Sequence, residues 1–241
     1  DNTNTMPAMV AACSGFDVLC HSLESYTAMP FSNREAPDDP GKRPAYQGAN
    51  PISDVWAMSA LEMVANNIIP AVKDPTDQVA RSNMMLAATF AGVGFGNAGV
   101  HLAHGMSYPV SGMVRDFVPE GYPQGHPMVP HGMGVIISAP SVFRYTAPTN
   151  PERHMHCARI LGAETSGASL EDAGDLLSDA IVGYIKELGV PNGLSGVGYT
   201  QHDIDALIQG TLPQHRVTKL SPRPINESNL RRMFQESMEL W

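Results

Sequence analysis

Apolar residues recur at spacings of three and four along most of the chain, while the strict alternation of half-buried strands is scarce, so the pattern predicts a mostly helical protein. Leu19, Leu23 and Tyr26 share one helical face and predict a helix from about Phe16. A second is expected from near Ser53 to Val72, with Val55, Met58, Leu61, Val64, Ala65 and Ile68 as its apolar stripe. A third begins after Pro75, where the Ala/Met/Leu run from Val79 to Phe90 favours helix by propensity. The stretch Gly92 to Val114 is small and Gly-rich, and Val114 to Met128 is polar, rich in Pro and Gly, and reads as a loop. Further helices are expected at His131 to Tyr145, Asn150 to Leu161, Ser169 to Leu188, Thr200 to Gln209 and from about Asn226. Asn150-Pro151 supplies a cap and a first-turn proline, and Glu171-Asp172 after Ser169 puts negative charge at a helix start. The Pro-rich Arg34 to Pro51 stretch reads as a surface excursion, and no repeat divides the chain. The expectation is an all-α, multi-helix bundle forming one domain over residues 1–241.

Length and composition agree. With 241 residues, 43% hydrophobic and 16% charged, the chain has ample material for a packed core. Lys+Arg 15 against Asp+Glu 24 gives a net charge of −9 with no basic cluster, which argues against nucleic acid and anionic membrane surfaces as partners. Apolar runs such as Val135 to Ile137 are interrupted well before the ~18 positions of a bilayer span, so no membrane-crossing segment is expected. The 3 cysteines, Cys13, Cys20 and Cys157, form no CxxC pair and point to a reduced, intracellular compartment. The start, Asp1 to Thr5, lacks the features of a signal peptide and an initiator Met, which suggests a piece of a longer polypeptide.

Chemistry concentrates in the histidines. Asp17 and His21 are four apart on a predicted helix, which stacks both side chains on one face; a surface hydrogen bond and a metal site both fit that spacing. His101, His104, His126 and His131 lie in or beside apolar, small-residue contexts where an unpaired imidazole is costly to bury. A divalent cation would satisfy several imidazoles and a carboxylate together; core histidines bonded singly to carbonyls are the plainer account. Gly94-Phe95-Gly96-Asn97-Ala98-Gly99 spells a dinucleotide-type GxGxxG, but a helical run precedes it where that fingerprint needs a strand. Glycines that let helices or a ligand approach the backbone are the preferred reading. Cys20 and His21 are neighbours and point some 100° apart, so a Cys/His nucleophile is disfavoured. Cys13 and Cys157 read as small core hydrophobes, His154 and His156 as ordinary helix residues, and Glu171, Asp172, Asp175 and Asp179 as a solvated face.

Gly15-Phe16-Asp17-Val18-Leu19-Cys20-His21-Ser22-Leu23-Glu24-Ser25-Tyr26 resembles the metal-binding helix of the iron-containing (group III) alcohol dehydrogenases. Gly94 to Pro109 and Pro130-His131-Gly132 resemble that family's second and third signatures, in the right order. Pro44 to Gly48, Asn50 to Asp54 and Thr211 to Gln214 with Lys219-Leu220 resemble its hydroxyacid-oxoacid transhydrogenase branch. The likeness covers essentially the whole chain, as the family's C-terminal helical domain.

The resemblance implies metal ligands at Asp17, His21, His104 and His131, with Fe²⁺ or Zn²⁺ as the ion and NAD as the cofactor of the full-length enzyme. It implies an oxidoreductase acting on a small alcohol or hydroxyacid, 4-hydroxybutyrate-like, with 2-oxoglutarate as an acceptor. It also implies a separate N-terminal nucleotide-binding domain as partner, a homo-oligomeric habit, and location in the cytoplasm, or in the mitochondrial matrix of a eukaryote. Two departures stand out. Tyr108 occupies the place of a second family histidine near the nicotinamide, so no proton relay transfers; Tyr108 and His101 are the candidates to substitute, and packing accounts equally for both. His104 and His131 are 27 positions apart, wider than in the simpler dehydrogenases, with Arg115 to Gln124 between them, as in the transhydrogenase branch. Rival readings are a metal-dependent hydrolase and a non-catalytic helical binding module whose histidines merely pack.

Overall fold

The computed structural model describes residues 2–241; Asp1, read above as part of the chain start, lies outside them. Ten α-helices and no strand occur among the described residues: α1 (Ala8–Thr27), α2 (Pro51–Lys73), α3 (Gln78–Ala98), α4 (Leu102–Gly112), α5 (His131–Thr146), α6 (Pro151–Ile160), α7 (Ala173–Glu187), α8 (Ile204–Thr211), α9 (His215–Thr218) and α10 (Glu227–Glu236). The all-α expectation holds.

Helix α5 is the axis of the bundle. Every residue from Gly132 to Phe143 is buried, and α1, α4, α7 and α10 pack around it. A helix apolar on all sides must lie inside a protein, and this one carries Val135, Ile136, Ile137, Val142 and Phe143 at 0% exposure. Helix α1 sits between α5 on one side and the α2–α3 pair on the other, burying Phe16, Leu19, Cys20 and Leu23.

Local chemistry sets most boundaries. Asn50 caps α2 by accepting from the Ser53 N–H at 3.1 Å, followed by Pro51, and Asn150 with Pro151 does the same for α6. The expected helix at Ser169 opens instead with a 3₁₀ turn, Leu170–Asp172, closed by a Ser169/Asp172 capping box, before α7 proper. The one at Thr200 likewise starts with Gln201–Asp203 ahead of α8.

Several expectations need correction. Helix α1 begins about two turns earlier than Phe16, and Val55 is exposed rather than part of the buried stripe of α2, which Ala57, Ala60, Leu61, Val64 and Ile68 form. Helix α3 continues through the Gly-rich segment to Ala98; the pattern did not predict α4, where Gly and small residues dilute the apolar period, or α9, whose four residues are too few to show one. Gly94 lies against α2, where an added Cβ would stand 3.2 Å from Ser53 O and Ala57 N, so this glycine of the motif serves helix packing, while Gly96 faces open space. The chain then turns 105° from α3 into α4 at Gly99, whose φ of 87° suits glycine alone. His126 is exposed, against the expectation of an apolar setting. By length and mean hydropathy α2 does qualify as a candidate span, since scattered polar residues do not bring its average down; here it packs against α1 and α3. The Val114 to Met128 segment contains no helix, as expected, and all three cysteines are buried and free.

Candidate metal centre

The site forms where α1, α4 and α5 meet. Asp17, His21 and Glu24 lie at i, i+4 and i+7 of α1, a spacing that puts all three on one face. His104 comes from the first turn of α4, and His131 is the first residue of α5. The Pro130-His131-Gly132 sequence has a plain structural reason. An added Cβ at Gly132 would fall 1.9 Å from the Cys13 carbonyl oxygen and 3.1 Å from Asp17 Cβ, so only glycine lets α5 approach α1 closely enough to bring His131 to Asp17.

One ligand atom each from Asp17, His104 and His131 lies within 4.8 Å of the others. Asp17 Oδ1 stands 3.3 Å from His104 Nε2, 3.5 Å from His131 Nε2 and 3.8 Å from His21 Nε2. His21 thus borders the trio without belonging to its tightest grouping. Its ring stacks on Phe95 of α3 at 4.0 Å and on His104 at 4.7 Å. The side chain of His104 is 3% exposed and that of His131 46%, so the cluster is closed on the α4 side and open at α5.

Two buried atoms here have no hydrogen-bond partner, Asp17 Oδ1 and His104 Nε2. They face each other, out of hydrogen-bond geometry, in a structure where buried polar atoms are otherwise almost all paired. A carboxylate and imidazoles with converging free lone pairs form a donor set suited to a divalent cation. Electrostatics act differently on the three imidazoles. Burial pushes His21 down to about 4 against the pull of Asp17, and burial outweighs the Asp17 charge at His131 as well, so both rings favour the neutral form that binds metal; at His104 burial is overcome by Glu24 and Asp17, which raise it to about 9. Burial would raise Asp17, but the adjacent His104, with the charges of His21 and His131, holds it below its ordinary value.

Sequence reasoning did not single out Glu24. It is fully buried and takes N–H bonds from His101, Ala103 and His104 at the start of α4, while its second oxygen meets His104 Nδ1. Its place on the Asp17/His21 face was the available signal. His101 is also fully buried, with Nε2 3.1 Å from Thr27 Oγ1, behind Glu24 rather than at the open face. Tyr108 is at that face, 38% exposed and stacked parallel to His131 at 6.2 Å. Arg216 of α9 donates to Tyr46 Oη at 2.6 Å and lies close enough to Tyr108 for its charge to oppose the upward shift that burial imposes on the phenol. Among the described residues Arg216 has no carboxylate partner. His126 is not brought to the cluster, and His154 bonds Thr146 and the Asn150 carbonyl elsewhere.

Residues 45–238 match the Fe-containing alcohol dehydrogenase family, C-terminal part, a span that includes His104 and His131 and starts after Asp17 and His21. A probable mitochondrial hydroxyacid-oxoacid transhydrogenase of Dictyostelium discoideum is 56% identical over 243 residues, covering 100% of this chain and 44% of that protein. The mitochondrial hydroxyacid-oxoacid transhydrogenase of Homo sapiens is 54% identical over 241 residues, covering 100% of this chain and 52% of that one. The chain therefore spans about half the length of the curated relatives it matches. A crystal structure of a 1,3-propanediol oxidoreductase superposes with TM-score 0.80 and 26% identity over 97% of this chain and 53% of that one. The iron-containing alcohol dehydrogenase of Thermococcus thioreducens gives TM-score 0.72 and 25% identity over 98% of this chain and 52% of its own.

Proposed function

The chain belongs to the Fe-containing alcohol dehydrogenase family, and from that membership we propose that it is the metal- and substrate-binding part of an NAD-dependent oxidoreductase acting on a small hydroxyacid or alcohol. The observation that carries this reading is the convergence of Asp17 Oδ1 and His104 Nε2, both buried and unpartnered, with His131 Nε2 and the neighbouring His21. Asp17, His21, His104 and His131 would hold Fe²⁺ or Zn²⁺, which supplies a Lewis acid that lowers the pKa of a substrate hydroxyl and so eases hydride loss. The residues divide the remaining work. Phe95 walls one side and keeps water from His21, while the exposed edge of His131 leaves the substrate an approach beside Tyr108.

A hydroxyacid needs a cation for its carboxylate as well as a site for its hydroxyl. Arg216, unpaired with any carboxylate among the described residues and braced by Tyr46 near Tyr108, supports that class over a neutral alcohol. A 4-hydroxybutyrate-like donor with 2-oxoglutarate as acceptor agrees with the printed names of the transhydrogenase relatives. Those relatives are about twice as long, and we assign the nucleotide site to the part of the protein that precedes this domain in the family. NAD-dependent oxidation of 4-hydroxybutyrate by the 241 residues alone would refute that assignment. The mitochondrial names of the relatives favour the mitochondrial matrix in a eukaryote.

Metal analysis tests the central reading. After anaerobic reconstitution with Fe²⁺ or Zn²⁺ and removal of loosely held ion, the expected content is about one equivalent per chain, lost in both Asp17→Ala and His104→Ala. No retained metal, or full retention in either variant, overturns it.

A further inference from the structure

Among the described residues Glu24 is the one fully buried carboxylate in contact with a candidate ligand, and it is bound from two sides. Its Oε1 accepts the backbone N–H groups of His101 at 3.1 Å, Ala103 at 2.8 Å and His104 at 3.3 Å, which caps α4 from a different helix where α4 has no side-chain cap of its own. Its Oε2 meets Nδ1 of His104. The opposite nitrogen of that ring, Nε2, is the unpartnered atom that faces Asp17 and His131.

We propose that Glu24 is a positioning residue that fixes His104 as the Nδ1–H tautomer and sets the height of α4, so that the Nε2 lone pair is presented to the cation. The inference rests on the metal reading above. An imidazole that binds metal through one nitrogen usually donates its other N–H to a carboxylate or carbonyl, which orients the ring and raises its basicity. Glu24 does this while its other oxygen anchors the turn that carries His104, so tautomer and backbone position depend on one side chain. A glutamine cannot do both. It has one acceptor and one donor, and the three N–H groups of the positive helix end claim the acceptor. The amide NH₂ then faces His104 Nδ1, which must accept, and the ring proton moves to Nε2. That tautomer has no lone pair for the cation.

Co²⁺ titration followed by its visible absorption, with Glu24→Gln and Thr27→Val compared with the unaltered protein, tests this. Thr27→Val removes the hydroxyl beside His101 in the same buried network without touching His104. The expected result is a Co²⁺ affinity weakened roughly 10- to 100-fold in Glu24→Gln and unchanged in Thr27→Val. Unchanged affinity in Glu24→Gln, or an equal loss in Thr27→Val, overturns the proposal while leaving the metal site standing. Absence of Co²⁺ binding by the unaltered protein overturns the metal reading and this inference with it. If Glu24→Gln does not fold, long-range ¹H–¹⁵N spectra of the metal-free unaltered protein read the ring directly. A proton on His104 Nδ1 supports the proposal, and one on Nε2 refutes it.

Discussion

Asp17 is the residue on which the site turns, because its Oδ1 is the common neighbour of three imidazole nitrogens. Around it, single side chains have separable tasks. Arg216 stands apart from the cluster, and the role proposed for it concerns substrate class alone. In the full-length enzyme, Arg216→Ala should lower kcat/KM for a hydroxyacid by on the order of 10- to 100-fold, the loss of a charge-assisted contact, and leave a neutral alcohol of similar size little changed. Steady-state kinetics on the two substrates check this; equal losses on both would place Arg216 in general packing. His154 shows what burial does outside the cluster. Burial, against the Asn150 carbonyl bond, lowers its value to about 4 from 6.5. Between those values the unfolded chain binds a proton that the native one does not, so its contribution is complete above about pH 6.5 and is lost as the pH falls toward 4. Urea unfolding should show wild type losing on the order of 1 kcal/mol per pH unit more than His154→Gln across that window.

At the scale of the elements, the site depends on how closely α5 can lie on α1. The contact is made through Gly132, with the Cys13 carbonyl directly opposite. Gly132→Ala must displace backbone, since no side chain is available there to swing aside. The expected cost is about 1–3 kcal/mol of stability from overpacking. Because His131 adjoins the contact, metal affinity should fall as well, although no ligand has been altered. Denaturation and metal titration on the same variant check both; a stable variant with unchanged affinity would show that α5 is not held by this approach. Helix α4 has the converse dependence, since its first turn is anchored by Glu24 of α1 rather than by a cap in its own sequence.

For the whole molecule, the cluster joins α1 to α4 and α5, which begin more than 70 positions later in the chain, so a bound cation would act as a cross-link of the bundle. An ion that binds only the native state, at 100 times its Kd, adds about 2.7 kcal/mol. For a domain of this size that corresponds to a rise in Tm of roughly 5–10 °C, reversed by a chelator. Thermal unfolding with and without Zn²⁺ reads it, and an unchanged Tm would mean that the cation does not bind the native fold. The acidic balance of the chain leaves such a cation no general electrostatic obstacle.

The sequence determined the helical class, the larger helices, the Pro/Gly-rich loop before α5 and the residues with the right chemistry, because hydrophobic period, caps and motif spacing are local properties of the chain. It placed Asp17 and His21 on one face for the same reason. It did not disclose α4, where glycines and small residues weaken the local period and packing on α5 and α8 supplies the helical drive instead, or α9, whose four residues are too few to show a period and which packs on α4. It did not show His101 turned away behind Glu24, His126 left in solvent, or His104 held by a carboxylate 80 positions earlier. Those outcomes follow from which helices touch, and only the tertiary structure decides that, since an imidazole's partners are fixed by three-dimensional neighbours rather than by chain neighbours.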